Sequence, residues 1–165
     1  MKPECKKYYR DDGSIEAEEW CLNGKCHRID GPAIVRYRED GSVEEKSWCL
    51  NGKYHRIDGP AIIYYRKDGG VEVEKWCLNG NLHRTDSPAV IDYNKNGSVE
   101  IEHWFLNGKR IDPKEHLMPM PKTEEEKIIL INKIVFIKEN NKYILIKEWL
   151  KRDKKFYEKY RVLFE

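Results

Sequence analysis

The sequence predicts a mainly β fold: an elongated antiparallel array of β-hairpin repeats, followed by a C-terminal α-helical segment. Three observations predict it. Trp20, Trp48, Trp76 and Trp104 recur every 28 residues, in register with Gly24, Gly52, Gly80 and Gly108 and with Tyr9, Tyr37, Tyr65 and Tyr93. Each period carries two turn dipeptides, Asp-Gly (or Asn96-Gly97) and Asn-Gly, which tolerate the positive φ of hairpin turns. The segments between them are rich in β formers with apolar and polar residues alternating.

The elements follow in order. A fully spelled copy runs from Gly31 through Ile57. Its unit is a strand over Ala33–Arg38, the Asp40-Gly41 turn, a strand over Ser42–Leu50, the Asn51-Gly52 turn and a short return strand near His55-Arg56. Alternation places Ala33, Val35 and Tyr37 on one face, with Ala61, Ile63, Tyr65 and Ala89, Ile91, Tyr93 as their equivalents. Val43 and Trp48 both read as buried yet differ by an odd number, so the second strand requires either a bulge or cover on both faces. One unit cannot bury its own Trp and Tyr, so stability is expected at the interfaces between units. The first copy lacks the Gly-Pro-Ala opening and reads as an N-terminal cap. The fourth is two residues short, lacks the His, and ends in Asp112-Pro113, a helix-start pair.

The domains are therefore 1–112 for the four-copy array, 113–121 for a helical cap near Lys114–Leu117 and a Pro-rich linker, and 122–165 for the helical segment. In this last part Thr123 and Glu126 make a possible capping box. A helix is favoured over 124–138, although Ile134–Ile137 and Tyr143–Ile146 also flank a hairpin-like Glu139–Lys142. Ile146, Trp149, Leu150, Tyr157, Tyr160 and Phe164 fall near one face of a final amphipathic helix.

Charged residues are 36% of the chain and aromatics 12%, which suits an open array with aromatic anchors. Net charge is +2. Residues 122–165 carry 12 Lys/Arg against 8 Asp/Glu, a mildly basic tail. Apolar runs reach about four residues, far short of the roughly 20 a spanning helix needs. Five cysteines, an odd number, and the absence of a signal peptide predict free thiols in a reducing, cytoplasmic compartment.

The phrase W-x-L-N-G-K-x-H-R-x-D-G-P-A resembles the short Trp/Gly/His repeats related to MORN repeats, found in giant amoebal DNA viruses, phages and bacteria. The resemblance covers roughly residues 3–112. It implies Tyr- and Gly-anchored β-hairpin units and either membrane-lipid contact or protein scaffolding. The longer period, the second-strand Trp and the His-Arg-x-Asp block depart from the general MORN pattern. The Ile-, Lys- and Asn-rich tail is similar to giant-virus proteins in composition.

Several columns resemble chemistry. His27, His55 and His83 sit beside Arg28, Arg56 and Arg84 and close to Asp30, Asp58 and Asp86. They would suit a ligand or metal, but a turn built the same way in each copy explains them better, and no metal or cofactor is assigned. Cys21, Cys49 and Cys77 form a column that Phe105 continues, the mark of a small buried hydrophobe. Their spacing has no two-residue zinc knuckle. Cys26 precedes His27, but neighbours on a strand face opposite ways. The tryptophans are expected in the core rather than as a stacking platform. Phosphate-binding glycine loops, nucleophile elbows and HExxH are missing. The sequence thus predicts a non-enzymatic interaction or scaffolding protein with a protein partner or self-association. The alternative is nucleic-acid or anionic-membrane binding through Lys151, Arg152, Lys154 and Lys155.

Overall fold

The computed structural model describes residues 2–114, 136–139, 142–152 and 154–159. The chain divides into two compact units, Met1–Arg84 with Ala89–Lys109 and Thr85–Pro88 with Arg110–Glu165. The first unit is a meander of hairpins. β1 (Glu4–Tyr9), β2 (Ile15–Leu22), β4 (Ile34–Tyr37), β5 (Val43–Ser47), β8 (Ile62–Tyr65), β9 (Val71–Lys75), β12 (Val90–Tyr93) and β13 (Val99–Leu106) lie side by side in chain order. With β3 (Lys25–Cys26) and β14 (Lys109–Ile111) they make a ten-stranded sheet among the described residues. The copies are joined edge to edge by backbone ladders. Ile62 of the third hairpin, for example, pairs back onto Ser47 of the second.

The two turn dipeptides fold differently. At Asn51-Gly52 both residues have positive φ, 53° and 80°, the two-residue turn that matches strand twist. At Asp40-Gly41 only the glycine is left-handed. Arg38 accepts from Gly41 N–H at 3.0 Å and donates to Ser42 O at 2.9 Å, a type I turn closed by a glycine bulge. Ser42 N–H and its hydroxyl both donate to Asp40 Oδ1, at 3.0 and 2.6 Å, which holds the Asp40 carboxyl down to about 2.

A second bulge resolves the parity conflict. Tyr37 pairs with Val43 while Arg36 pairs with Glu45, leaving Glu44 as the extra residue. The same shift leaves out Glu16, Glu72 and Glu100, all exposed. One extra residue inverts the alternation, so Val43 and the Trp48 position fall on the same side. Both faces are covered as well. Ala33 and Val35 are buried on one, as expected, and Ile34 and Ile62 on the other.

The second strand leaves the ladder at Trp48. Its N–H donates to Ala61 O of the next copy at 2.8 Å, and the chain continues into a separate hairpin of β6 (Cys49–Leu50) and β7 (Lys53–Tyr54). The return strand is thus Lys53–Tyr54, not His55-Arg56. The two-residue turn brings Lys53 opposite Leu50 and leaves the histidine just past the ladder. Equivalent hairpins form between β2 and β3 and between β10 (Cys77–Leu78) and β11 (Asn81–Leu82). β1, at the edge of the sheet, is exposed along its whole length.

The second unit corrects the helical expectation for the tail. Phe136–Glu139 (β15) and Lys142–Leu145 (β16) form an antiparallel hairpin, so the helix favoured to residue 138 gives way to the hairpin alternative. The β-branched and aromatic residues of the two strands outweigh the helical periodicity. The expected single amphipathic helix is instead two short helices, α1 (Ile146–Leu150) and α2 (Lys154–Lys159), with a turn at Lys151-Arg152. Leu150 is fully buried, and Leu145 N–H donates to Thr85 O at 3.1 Å. Lys114 lies in a turn, its N–H donating to Asp112 Oδ1 at 2.8 Å. The rest of the expected cap, the linker, the capping box at Thr123 and Glu126, and Tyr160 and Phe164 lie outside the described residues. Among the described residues no helix is long and apolar enough to cross a membrane.

Candidate functional site

The loop from His to Pro-Ala follows each small hairpin, and its side chains fix it to its own copy and to the next. His27 Nδ1 accepts the N–H of Asn51 at 3.2 Å, His55 Nδ1 that of Asn79 at 3.2 Å, and His83 Nδ1 that of Asn107 at 3.1 Å. Each donor lies one copy ahead, at the left-handed residue of the turn. A ring nitrogen that accepts carries no proton. The side-chain amides of Asn51 and Asn79 reach the same nitrogens at 3.0 Å. The histidine column is an inter-copy fastening.

Arginine fixes the loop from within. Arg28, Arg56 and Arg84 lie over Trp20, Trp48 and Trp76, at 4.1, 4.0 and 3.7 Å from the ring centroids. Arg28 Nε reaches Asp30 at 2.8 Å and Arg56 Nε reaches Asp58 at 3.1 Å, while each Nη1 donates to a proline carbonyl, Pro32 or Pro60, at 3.4 Å. Arg28 and Arg56 also hold Asp30 and Asp58 below the usual carboxylate range. The tryptophans are half-buried rather than fully in the core, because one face of the ring serves as the arginine platform.

A third column went unread in the sequence. Arg10 Nη1 donates to Ile15 O and Arg38 Nη1 to Val43 O, both at 2.8 Å, across their own Asp-Gly turns. Their Nη2 groups reach forward to Tyr37 O and Tyr65 O of the next copy. Arg66 donates likewise to Val71 O. The signal was there, since Arg10, Arg38 and Arg66 also recur every 28 residues. Tyr37 and Tyr93 donate their hydroxyls to Glu18 and Glu74 at 3.2 and 3.0 Å. Tyr65 meets Lys46, whose Nζ lies 5.5 Å from its ring, because lysine stands at the glutamate position of that copy.

What this framework presents outward is apolar. Ile29 and Ile57, in the middle of the clamped loops, are 84% and 81% exposed. Between them lies a shallow groove of about 390 Å³, with Trp48 and Leu50 among its lining residues and Arg28, Asp30, Arg56 and Asp58 around them.

The thiols divide. Cys49 and Cys77 are buried, as their column predicts, and burial pushes the Cys49 thiol up to about 12. Cys21 and Cys26 are half-buried and face each other across the β2–β3 hairpin. Their sulfurs and a Glu19 carboxylate oxygen all lie within 4.8 Å of one another. Burial first, then Cys21 and Glu19, push the Cys26 thiol up. Reading Cys21 down its column and Cys26 beside His27 hid this grouping, whose signal is the Cys-x4-Cys spacing around Asn23-Gly24. In the tail Lys151, Arg152, Lys154 and Lys155 are all exposed, and Lys151 pairs with Glu148 at 3.0 Å.

Comparison with known proteins finds no family, no curated protein and no solved structure that this chain matches.

Proposed function

We propose that this chain is a non-enzymatic protein-interaction or scaffolding module of the MORN-like Trp/Gly/His repeat type. The observation that carries the reading is the pair of exposed isoleucines, Ile29 and Ile57, on loops that histidine, arginine and aspartate hold rigid. A rigid apolar ledge beside a groove gains contact area without losing loop entropy on binding. The column residues that suggest chemistry are engaged in holding the scaffold, which favours a surface over a reaction. The repeat's resemblance to giant-virus proteins favours a role in the host-cell cytoplasm or the virion. Capture from the native cell by full-length protein, compared with Ile29→Ser/Ile57→Ser, tests the reading. Specific partners should be lost with the double variant, whose melting temperature should stay unchanged. Equal capture by both would refute the ledge as the contact.

A second reading rests on the exposed Lys151, Arg152, Lys154 and Lys155. Binding to DNA or to acidic vesicles should then fall steeply with added salt and vanish on deletion of residues 122–165. No binding at low salt excludes it.

A further inference from the structure

We propose that Glu19, Cys21 and Cys26 form a binding site for a thiophilic divalent cation of the zinc and cadmium class. The hairpin supplies the geometry. Leu22 and Lys25 flank the two-residue Asn23-Gly24 turn and so form its closing hydrogen-bonded pair. Cys21 and Cys26, one step farther from the turn, are then a non-hydrogen-bonded pair, the kind with Cα atoms only about 4.5 Å apart and side chains on one face. Glu19 lies two residues before Cys21 on the same face, and the three ligand atoms lie within 4.8 Å of one another. Two cysteines separated by four residues fit the range of structural zinc ligands.

Two further features point the same way. Tyr8 donates its hydroxyl to Glu19 Oε2 at 3.2 Å, which orients the carboxylate and leaves its other oxygen for a cation. The trio is also peculiar to one copy. Where the first copy has Glu19 and Cys26, the second has Ser47 and Tyr54 and the third has Lys75 and Leu82. The same hairpin forms with tyrosine or leucine there, so Cys26 is not required by the fold. On binding, each thiol releases its proton to solvent as the sulfur lone pair coordinates the cation, and solvent completes the shell.

Full-length reduced protein titrated with Cd2+ should develop the ultraviolet thiolate-to-metal band, saturating at one ion per chain and displaced by Zn2+. Cys26→Leu installs the third copy's own residue, so it should fold normally yet abolish the band. Tyr8→Phe should weaken binding roughly tenfold or more while leaving the melting temperature nearly unchanged without metal. Cys77→Ala should leave the titration intact. A reduced wild-type chain that shows no band overturns the proposal, as does a band that survives Cys26→Leu. So would a chain whose Cys21 and Cys26 close to a disulfide and which, once reduced, binds no Cd2+.

Discussion

Replacing Gly59 by alanine should disturb the loop through one neighbour, Arg56. Neither Gly59 nor Gly31 has a positive φ, so the backbone itself accepts a side chain. A Cβ at Gly59 would lie 2.7 Å from Arg56 Cζ, about 0.7 Å short of ordinary contact. The guanidinium can settle toward Trp48 only from 4.0 Å to the 3.7 Å seen over Trp76. The remaining displacement must come from the bonds to Asp58 and Pro60. Asp58 is exposed and screened by solvent, so the loss falls on the Pro60 bond, worth about 1 kcal/mol. At Gly31 the Cβ would lie 3.1 Å from Arg28 Cζ, and a stack at 4.1 Å has room to absorb the difference. Alanine also lowers unfolded-chain entropy by about 0.5 kcal/mol at either site. Gly59→Ala should therefore destabilise by about 0.5 kcal/mol while Gly31→Ala stabilises by about as much. That gap of about 1 kcal/mol corresponds to roughly 0.5 M in a urea midpoint followed by tryptophan fluorescence. In an Arg56→Ala background Gly59→Ala should become stabilising, like Gly31→Ala. Equal effects of Gly59→Ala with and without Arg56 would refute the steric route.

Other perturbations read out other contacts. His55→Ala removes the acceptor of Asn79 N–H and should cost about 1 kcal/mol, measured as a lowered urea midpoint, with His55→Gln recovering part of it. Arg38→Lys keeps the charge but cannot bond Val43 O and Tyr65 O together, so a loss of about 1–2 kcal/mol is expected, visible as faster hydrogen exchange around Ser42. Burial raises both Cys49 and Tyr93 to about 12, above the ordinary 9.0 of a thiol and 10.0 of a phenol. Folded values above unfolded ones mean stability that is complete below about pH 9 and is lost as pH climbs toward 12. Urea midpoints at about pH 8 and about pH 10.5 should show the fall, and Cys49→Ala should reduce it. Native alkylation at neutral pH should modify exposed Cys5 well before buried Cys49 or Cys77, as peptide mass mapping would show.

The repeat, its turns and the face carrying Ala33, Val35 and Tyr37 were legible because period and alternation are local properties. The bulge was half legible. Val43 and Trp48 demanded one, but its place at Glu44 follows from cross-strand register, which no single strand encodes. The return strand was misplaced by two residues because the histidine is conspicuous for reasons unrelated to pairing. Its work is done on Asn51 one copy ahead, a contact that appears only when copies lie side by side. The same holds for Arg38, whose partner Tyr65 O is a main-chain atom in another copy. In the tail, Phe136–Glu139 has both helical and strand character, and its hairpin mate Lys142–Leu145 decides it. The grouping of Glu19, Cys21 and Cys26 needed the turn's fold-back, which column-by-column reading separates.

The fastenings between copies have a genetic reading. A histidine finds its asparagine 24 residues on, and an arginine finds its tyrosine carbonyl 27 residues on. Each such offset stays within reach of the adjacent copy. In-frame duplication of one period would therefore hand every fastening residue a partner of the same kind, and excision would rejoin the survivors equally well. Array length can change by recombination slippage without any compensating point mutation. The fourth copy carries Asn94 in place of the arginine and lacks the histidine, so it holds neither forward hook. New copies would be viable when inserted ahead of it, and the array would lengthen from within.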